Sequence, residues 1–200
     1  MDLKEIELLV YRNIIKEKHF PRWKGRPILK NPTDLLLYHE VIYEKKPDII
    51  IETGTKWCGS ALFLADMCEL VGNGRVISID IVDRQVEKPE HDRLSLITGN
   101  SIDKNIVEQL AKEVEGKTVM VILDSAHTEK HCKFELFRYS KLVTPGQYMV
   151  LEDVYDGRMN EYGVTRARDW FLQRTKKFKL VNLVKKYLFG MTKDGWMLRR

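Results

Sequence analysis

Cysteine is scarce: of 200 residues only Cys58, Cys68 and Cys132 carry a thiol. An odd number with no CxxC spacing excludes a disulfide framework and a cysteine-built zinc site, and leaves three small residues suited to burial. Long apolar runs are missing too. No uncharged stretch approaches the roughly 18 residues a membrane span needs, and Lys4, Glu5 and Glu7 interrupt the start of the chain before an apolar signal segment can form. These absences lead to the expectation of a soluble, cytoplasmic protein with no membrane partner. Charge of one sign is not in strong excess: 34 basic residues face 29 acidic ones, a net charge of +5. Apart from a C-terminal cluster around Arg174, Lys176, Lys177, Lys179, Lys185 and Lys186 the basic residues are dispersed as on a solvated face, which speaks against a nucleic-acid partner. The chain also lacks a GxGxxG segment, an internal repeat and any low-complexity stretch.

What is present, 44% hydrophobic and 32% charged residues, suits one globular domain large enough to bury a sheet on both faces. Residues 1–18 set Leu3, Ile6, Leu9 and Val10 at helical spacing, which predicts an amphipathic helix ahead of the main fold. Residues 19–32, with Trp23, Gly25, Pro27 and Pro32, predict a loop, after which Asn31 or Thr33 can cap a helix running to about Lys45. Residues 1–32 therefore read as an N-terminal helix and loop, and residues 33–200 as one domain. Short apolar runs at 48–52 (DIIIE), 75–80 (RVISID), 94–98, 118–124 (TVMVILD) and 147–152 (QYMVLE) alternate with helical stretches near 60–70, 103–113, 128–142 and 166–176. Strands of this continuous apolar type between helices imply a parallel sheet covered on both faces. The tail changes style, with β-like runs at 178–184, 187–191 and 196–199 and a turn signal at Asp194-Gly195. The expected architecture is α/β: a doubly wound, mostly parallel seven-stranded sheet with an antiparallel C-terminal strand, Rossmann-like in the manner of class I methyltransferases.

Ligands of open α/β sheets sit beyond the carboxyl ends of the strands, and here those ends are polar. The first strand runs into Glu52-Thr53-Gly54-Thr55 and reaches Gly59-Ser60 at the next helix, the second ends at Asp80, and the third leads to Gly99-Asn100-Ser101. The glycines let backbone approach a ligand closely, but their spacing does not build a pyrophosphate turn; the amino-acid end and adenosine of S-adenosylmethionine fit better. Asp80 is placed to accept from ribose hydroxyls, and Asn100 or Ser101 to bond the adenine edge. The bland alternative, a tight turn with Asp80 capping a loop, stays open on these residues alone. The fourth strand ends Asp124-Ser125-Ala126-His127 and the fifth Glu152-Asp153. If those strands are neighbours, three carboxylates meet in one cleft, and a divalent cation such as Mg²⁺ would relieve their repulsion. His127 lies close enough in the chain to take a proton from a substrate hydroxyl; His131, one helical turn further along, has less claim.

At these residues the chain resembles the cephalosporin hydroxylase / rhamnosyl O-methyltransferase family over nearly everything from Trp23 onward. The matching pieces are Trp23-Lys-Gly25-Arg-Pro27, Lys30-Asn-Pro32-Thr-Asp34-Leu35, Ile50-Ile-Glu52-Thr-Gly54-Thr55, Cys58-Gly59-Ser60 with the Ala-Leu-Phe-Leu-Ala65 that follows, Val76-Ile-Ser-Ile-Asp80, Leu123-Asp124-Ser125 with His127, and Tyr148-Met-Val-Leu-Glu152-Asp153. The resemblance implies an S-adenosylmethionine site at the first two strand ends, with Glu52, Gly54, Thr55, Ser60, Asp80 and Asp124 around it, and a Mg²⁺ site at Asp124, Glu152 and Asp153. In similar metal-dependent O-methyltransferases a base lies three positions beyond the first metal aspartate, which is the place of His127. The chain departs from the family at Cys58, where a second glycine is common, at Ala126, where an acid or amide is common, and at Val164-Thr165, near a common Gly-Pro pair.

The implied reaction is methyl transfer to a hydroxyl of a small molecule: a sugar, polyketide or phenolic compound. The amphipathic first helix and the loop 155–165 would form a lid over the acceptor; alternatively the helix packs on a partner subunit in a homo-oligomer. An Fe(II) oxygenase lacks a second well-placed histidine, a NAD-dependent enzyme lacks its glycine fingerprint, and a non-catalytic S-adenosylmethionine-binding module stays open.

Overall fold

The computed structural model describes residues 20–154, 162–187 and 190–200, together with Glu5, Ile6, Leu9 and Asn13. Most of the helix expected over 1–18, and most of the loop expected over 155–165, lie outside the described residues; Glu5, Ile6 and Leu9 are helical.

Seven strands form one sheet: β3 (Ile49–Thr53), β4 (Arg75–Asp80), β5 (Leu94–Thr98), β6 (Val119–Leu123), β7 (Tyr148–Leu151), β8 (Phe178–Leu180) and β9 (Trp196–Arg199). Their order is β5-β4-β3-β6-β7-β9-β8, parallel except that β9 runs antiparallel to both of its neighbours. This is the class I methyltransferase architecture anticipated from the alternation of apolar runs and helices. Period-two alternation explains the two cores. Ile49 and Ile51 of β3, with Val119, Val121 and Leu123 of β6, face one side; Ile50, Met120 and Ile122 face the other. The first side is covered by α3 (Lys104–Glu113), α4 (Glu129–Tyr139) and α5 (Tyr162–Arg174), the second by α1 (Pro32–Lys45) and α2 (Gly59–Val71).

Helix starts follow their capping residues. The side chains of Asn31, Asp103 and Thr128 accept from the backbone amides of Thr33, Asn105 and His131, each satisfying one of the four orphan amides of a first turn. Helix α5 begins at Tyr162, four residues before the expected start, and buries Val164, Ala167 and Phe171 at helical spacing. The residues that replace a Gly-Pro pair, Val164 and Thr165, thus lie in its first turn.

Two stretches differ from expectation. The loop 19–32 contains a small antiparallel hairpin, β1 (Arg22–Trp23) and β2 (Arg26–Pro27), closed by Lys24-Gly25 with both residues at positive φ. This is the twist-matched two-residue turn favoured in hairpins, hidden in the sequence by the prolines around it. The Trp23 indole and Lys24 ammonium donate to the two oxygens of Asp66 at 2.5 and 2.6 Å, pinning the hairpin to α2. The β-like run 187–191 is not a strand: a 3-10 helix spans Val184–Tyr187, and Met191 enters a turn, with 188–189 outside the described residues. The reason is Asp34. Its buried carboxylate accepts from the Met191 amide at 2.7 Å and the Thr192 hydroxyl at 2.6 Å, so the Met191 amide is satisfied by α1 instead of a sheet partner.

The same contact fixes Trp196, which is fully buried and donates its indole N–H to Thr192. Asp34→Ala should therefore lower unfolding stability by about 2–3 kcal/mol, the scale of hydrogen bonds to a charged acceptor. Urea unfolding followed by tryptophan fluorescence measures it; a loss below about 0.5 kcal/mol would mean that the tail is held by other contacts.

Candidate active site

The strand order reverses between β3 and β6, and beyond the carboxyl ends of these strands opens a cavity of 470 Å³. Its size falls within the ordinary range of small-ligand sites. Gly54 holds the floor of this cavity together. A Cβ at that position would lie 1.9 Å from the Asp124 carbonyl oxygen, and φ is +91°, so only glycine lets the turn after β3 lie flat against the end of β6. Further along the same turn Cys58 sits at φ 60°. That left-handed position explains why glycine is frequent there in the family this chain resembles.

Asp80 ends β4 at the cavity wall. Its Oδ2 accepts from the Lys56 amide at 2.8 Å and its Oδ1 from the Val82 amide at 2.9 Å, so the carboxylate is fixed by backbone while facing the cavity. Thr55 is buried, its hydroxyl 2.7 Å from that of Ser78. Asn100 lines the cavity, its carboxamide oxygen accepting from the Ile102 amide. The Ser101 hydroxyl lies 3.1 Å from His131 Nε2, which also meets the Ser125 hydroxyl at 3.0 Å, and Ser125 in turn donates to the buried Glu135 at 2.7 Å. His131 therefore belongs to a polar network in the cavity wall, which it lines with Ser101 and Ser125.

Asp124, His127 and Asp153 converge at the opposite end. His127 Nε2 is 3.5 Å from Asp124 Oδ1, and Nδ1 is 3.3 Å from Asp153 Oδ2. Ligand-capable atoms of the three residues all lie within 4.8 Å of one another. Asp153 adopts φ 55°, a left-handed conformation costing an aspartate about 1–3 kcal/mol, and this turn aims it back toward His127. Helix α5 supports the arrangement from outside: a Cβ on Gly163 would lie 2.8 Å from the His127 carbonyl and 2.7 Å from the Glu129 amide. Cavity-lining Ala126 is exposed.

Glu152 occupies a different position from its neighbour. It is buried, and its Oε1 accepts from Lys30 Nζ at 2.7 Å and from the Tyr38 hydroxyl at 2.5 Å. Lys30, only 2% exposed, also donates to Asp124 Oδ2 at 2.8 Å. Neither Lys30 nor Tyr38 could be assigned a role from the sequence: Lys30 stands beside a helix cap and Tyr38 on an apolar helix face, and only the fold brings them to residues 124 and 152. Burial works against the Lys30 charge, but Asp124, Glu152 and Glu52 outweigh it and hold the ammonium well above its ordinary pKa. Burial likewise raises Asp124, yet Lys30 and His127 overcome it and leave that carboxyl below the usual range. For Glu152 burial wins, and its pKa is pushed up to about 7 despite Lys30.

The matching family model, Rhamnosyl O-methyltransferase/CmcI, covers residues 16–200. A class I methyltransferase fold with this strand-end site is joined to a sequence match over nearly its whole length, and the chain belongs to that family. Among curated relatives, the rhamnosyl O-methyltransferase of Mycobacterium leprae (strain TN) is 34% identical over 139 residues, 66% of this chain and 59% of that protein. Its counterpart in Mycobacterium tuberculosis (strain ATCC 25618 / H37Rv) is 30% identical over 150 residues, 72% of this chain and 60% of the other. The chain spans about three-fifths of the length of these relatives. A solved cmcI structure with Mg and SAM superposes with TM-score 0.70 at 20% identity, covering 90% of this chain and 76% of the other. The O-methyltransferase from Bacillus cereus in complex with SAH gives 0.58 at 17%, covering 98% and 88%. At such identities the two structures show the shared fold.

Glu52 lies under the site, fully buried, accepting from the Ser78 hydroxyl at 2.6 Å. Burial pushes its pKa up to about 7, with Lys30 and the Ser78 and Ser60 hydroxyls pulling the other way. A carboxyl with a higher pKa in the folded than in the unfolded chain binds its proton more tightly when folded. Its contribution is therefore full below about pH 4.5 and is lost as pH rises through about 7. Glu52→Gln cannot ionise, so the melting temperature of the variant minus that of the wild type should climb between about pH 5 and pH 7.5 and then level off. A difference independent of pH would remove the buried acid from the account.

Proposed function

We propose that this chain is an S-adenosylmethionine-dependent O-methyltransferase acting on a hydroxyl of a small molecule, with a sugar hydroxyl as first choice and polyketide or phenolic hydroxyls as the wider class. The observation that carries the reading is one cavity with Asp80 fixed by two amides at one end and the Asp124, His127 and Asp153 cluster at the other. The names of the relatives point to sugar, since those proteins are rhamnosyl O-methyltransferases. Gly54, whose missing side chain lets the turn lie flat on the end of β6, lines the cavity with backbone, which suits the amino-acid end of the cofactor, with Thr55 and Ser60 beside it. Asp80 would accept from the ribose hydroxyls, and Asn100 and Ser101 lie toward the adenine. Residues 33–200 would constitute the methyltransferase domain, and the N-terminal helix with the loop after β7 would cover the acceptor or contact a second subunit.

A donor set of carboxylate oxygens, without thiolate, suits Mg²⁺ or Mn²⁺. Asp124 and Asp153 would hold such an ion together with Glu152 beside them, and when bound it would lower the pKa of a coordinated hydroxyl and orient it. The remaining work falls to the chain. Asp153 at Nδ1 sets the tautomer and orientation of His127, Nε2 takes the proton of the acceptor hydroxyl, and Asp124 stabilises the resulting imidazolium. The cavity walls hold the nucleophilic oxygen in line with the methyl group, where positioning supplies most of the rate.

Two variants separate binding from chemistry. Asp80→Ala should weaken S-adenosylmethionine binding by about 1.5–3 kcal/mol in calorimetry; an unchanged affinity would take Asp80 out of the cofactor site. His127→Ala should lower kcat by roughly 10²–10⁴-fold while cofactor affinity and melting temperature stay near wild type. The assay is mass-spectrometric transfer of a deuterated methyl group to a panel of rhamnosides, catechols and glycosylated polyketides. Near-normal turnover in the His127 variant would sink its assignment as base, and cofactor binding without transfer to any acceptor would favour a binding module.

A further inference from the structure

Lys30 is the feature of this site that the reading above leaves unused. Its ammonium is buried, yet it touches neither the Asp80 end of the cavity nor His127; its partners are one oxygen of Asp124 and one of Glu152. Each acid thereby keeps its other oxygen clear of the lysine. Asp124 Oδ1 points to His127, and the Lys30 and Tyr38 hydrogen bonds to Glu152 both fall on Oε1. Tyr38 adds a second donor to the same Glu152 oxygen that Lys30 holds, and its ring lies 5.8 Å from Nζ. The lysine thus sits between the two carboxylates, at the wall of the cavity that Asp124, His127 and Asp153 also line. Pulling it away would strand the buried Glu152, and leave the half-buried Asp124 with His127 alone, a strongly unfavourable change.

We propose that Lys30 is a positioning residue that sets the charge of the cation site: it stays in place when an ion binds, presents one oxygen each of Asp124 and Glu152, and reduces three negative charges to two. Resting on the divalent-cation reading above, this gives the reason for a preference between ion charges. Asp124, Glu152 and Asp153, the acids that would touch the ion, carry three negative charges when ionised; the Lys30 ammonium between Asp124 and Glu152 cancels one of them and so lowers the attraction for a trivalent ion more than for a divalent one. The ammonium also divides Asp124 between two tasks, one oxygen for the lysine and one for the cluster. Without Lys30 the acids would repel one another across a low-dielectric space and turn away from a common ligand.

The test compares ion selectivity, which a purely structural defect does not alter. Mn²⁺ affinity by electron paramagnetic resonance and Tb³⁺ affinity by luminescence are measured at pH 8 on the wild-type protein, Lys30→Met and Glu152→Gln. Removing one positive charge a few ångströms from the ion favours the trivalent over the divalent species, so Lys30→Met should shift the affinity ratio toward Tb³⁺ at least tenfold. Glu152→Gln, which removes an acid and leaves the lysine, should shift the ratio at least tenfold toward Mn²⁺. Lys30→Gln replaces Lys30→Met should the latter fail to fold by circular dichroism, and the Glu152 variant tests the charge argument without touching Lys30. Equal weakening of both ions in a Lys30 variant, or a shift in the same sense from Glu152→Gln, overturns the proposal while leaving the cation site standing. Absence of Mn²⁺ binding to the wild-type protein overturns both.

Discussion

The parallel sheet delivers four acids, Glu52, Asp124, Glu152 and Asp153, to its carboxyl edge on strands that are hydrogen-bonded neighbours, and their mutual repulsion in a buried setting is the constraint on which the site depends. The chain meets it in three ways. Lys30 is buried between two of them. His127 lies between Asp124 and Asp153. Glu52 and Glu152 hold pKa values near 7, where a proton is shared out instead of a full charge. Each solution fixes geometry as well as charge, because every partner is anchored to a different element: the segment before α1, the turn after β6, and the ends of β3 and β7.

The scaffold was legible because its signals are local. Runs such as DIIIE and TVMVILD carry no polar residue between their first and last positions and read as two-sided strands, and Asn31, Asp103 and Thr128 stand at the helix starts they cap. The strand-end position of Asp80 and of Asp124 follows from the same runs. What sequence could not yield depends on sequence-distant pairing. Lys30 reads as an ordinary basic residue before a helix, and nothing within ten residues says that it meets Asp124 and Glu152. Ser101 looks like a free hydroxyl until the fold sets it beside His131. The run 187–191 has the apolar content of a strand, but Asp34, more than 150 residues earlier, takes the Met191 amide.

Family membership and fold together define the frame in which this chain works, and its departures have local physical readings. Cys58 occupies a left-handed position that glycine would adopt freely, and its thiol is fully buried. Val164 trades a turn-forming pair for an early start to α5, which brings Gly163 against the backbone of the His127 loop. The acid or amide common at position 126 is absent, so the polar groups on that side of the cavity come from Ser125 and His127.

The sequence separations of the Lys30 contacts, 94 to Asp124 and 122 to Glu152, bear on how the chain reaches its final state. During synthesis the lysine emerges long before either partner, and a charged side chain cannot be buried while its counter-ions are still missing. The hairpin that precedes it can settle on α2 through Asp66 once that helix exists, but the last step must wait until β6 and β7 have joined the sheet. Contacts of such range close late and slowly. The cleft is consequently among the last regions to take shape, so a nascent chain that stops short of β7 holds the Gly54 turn but not the assembled cluster beside it.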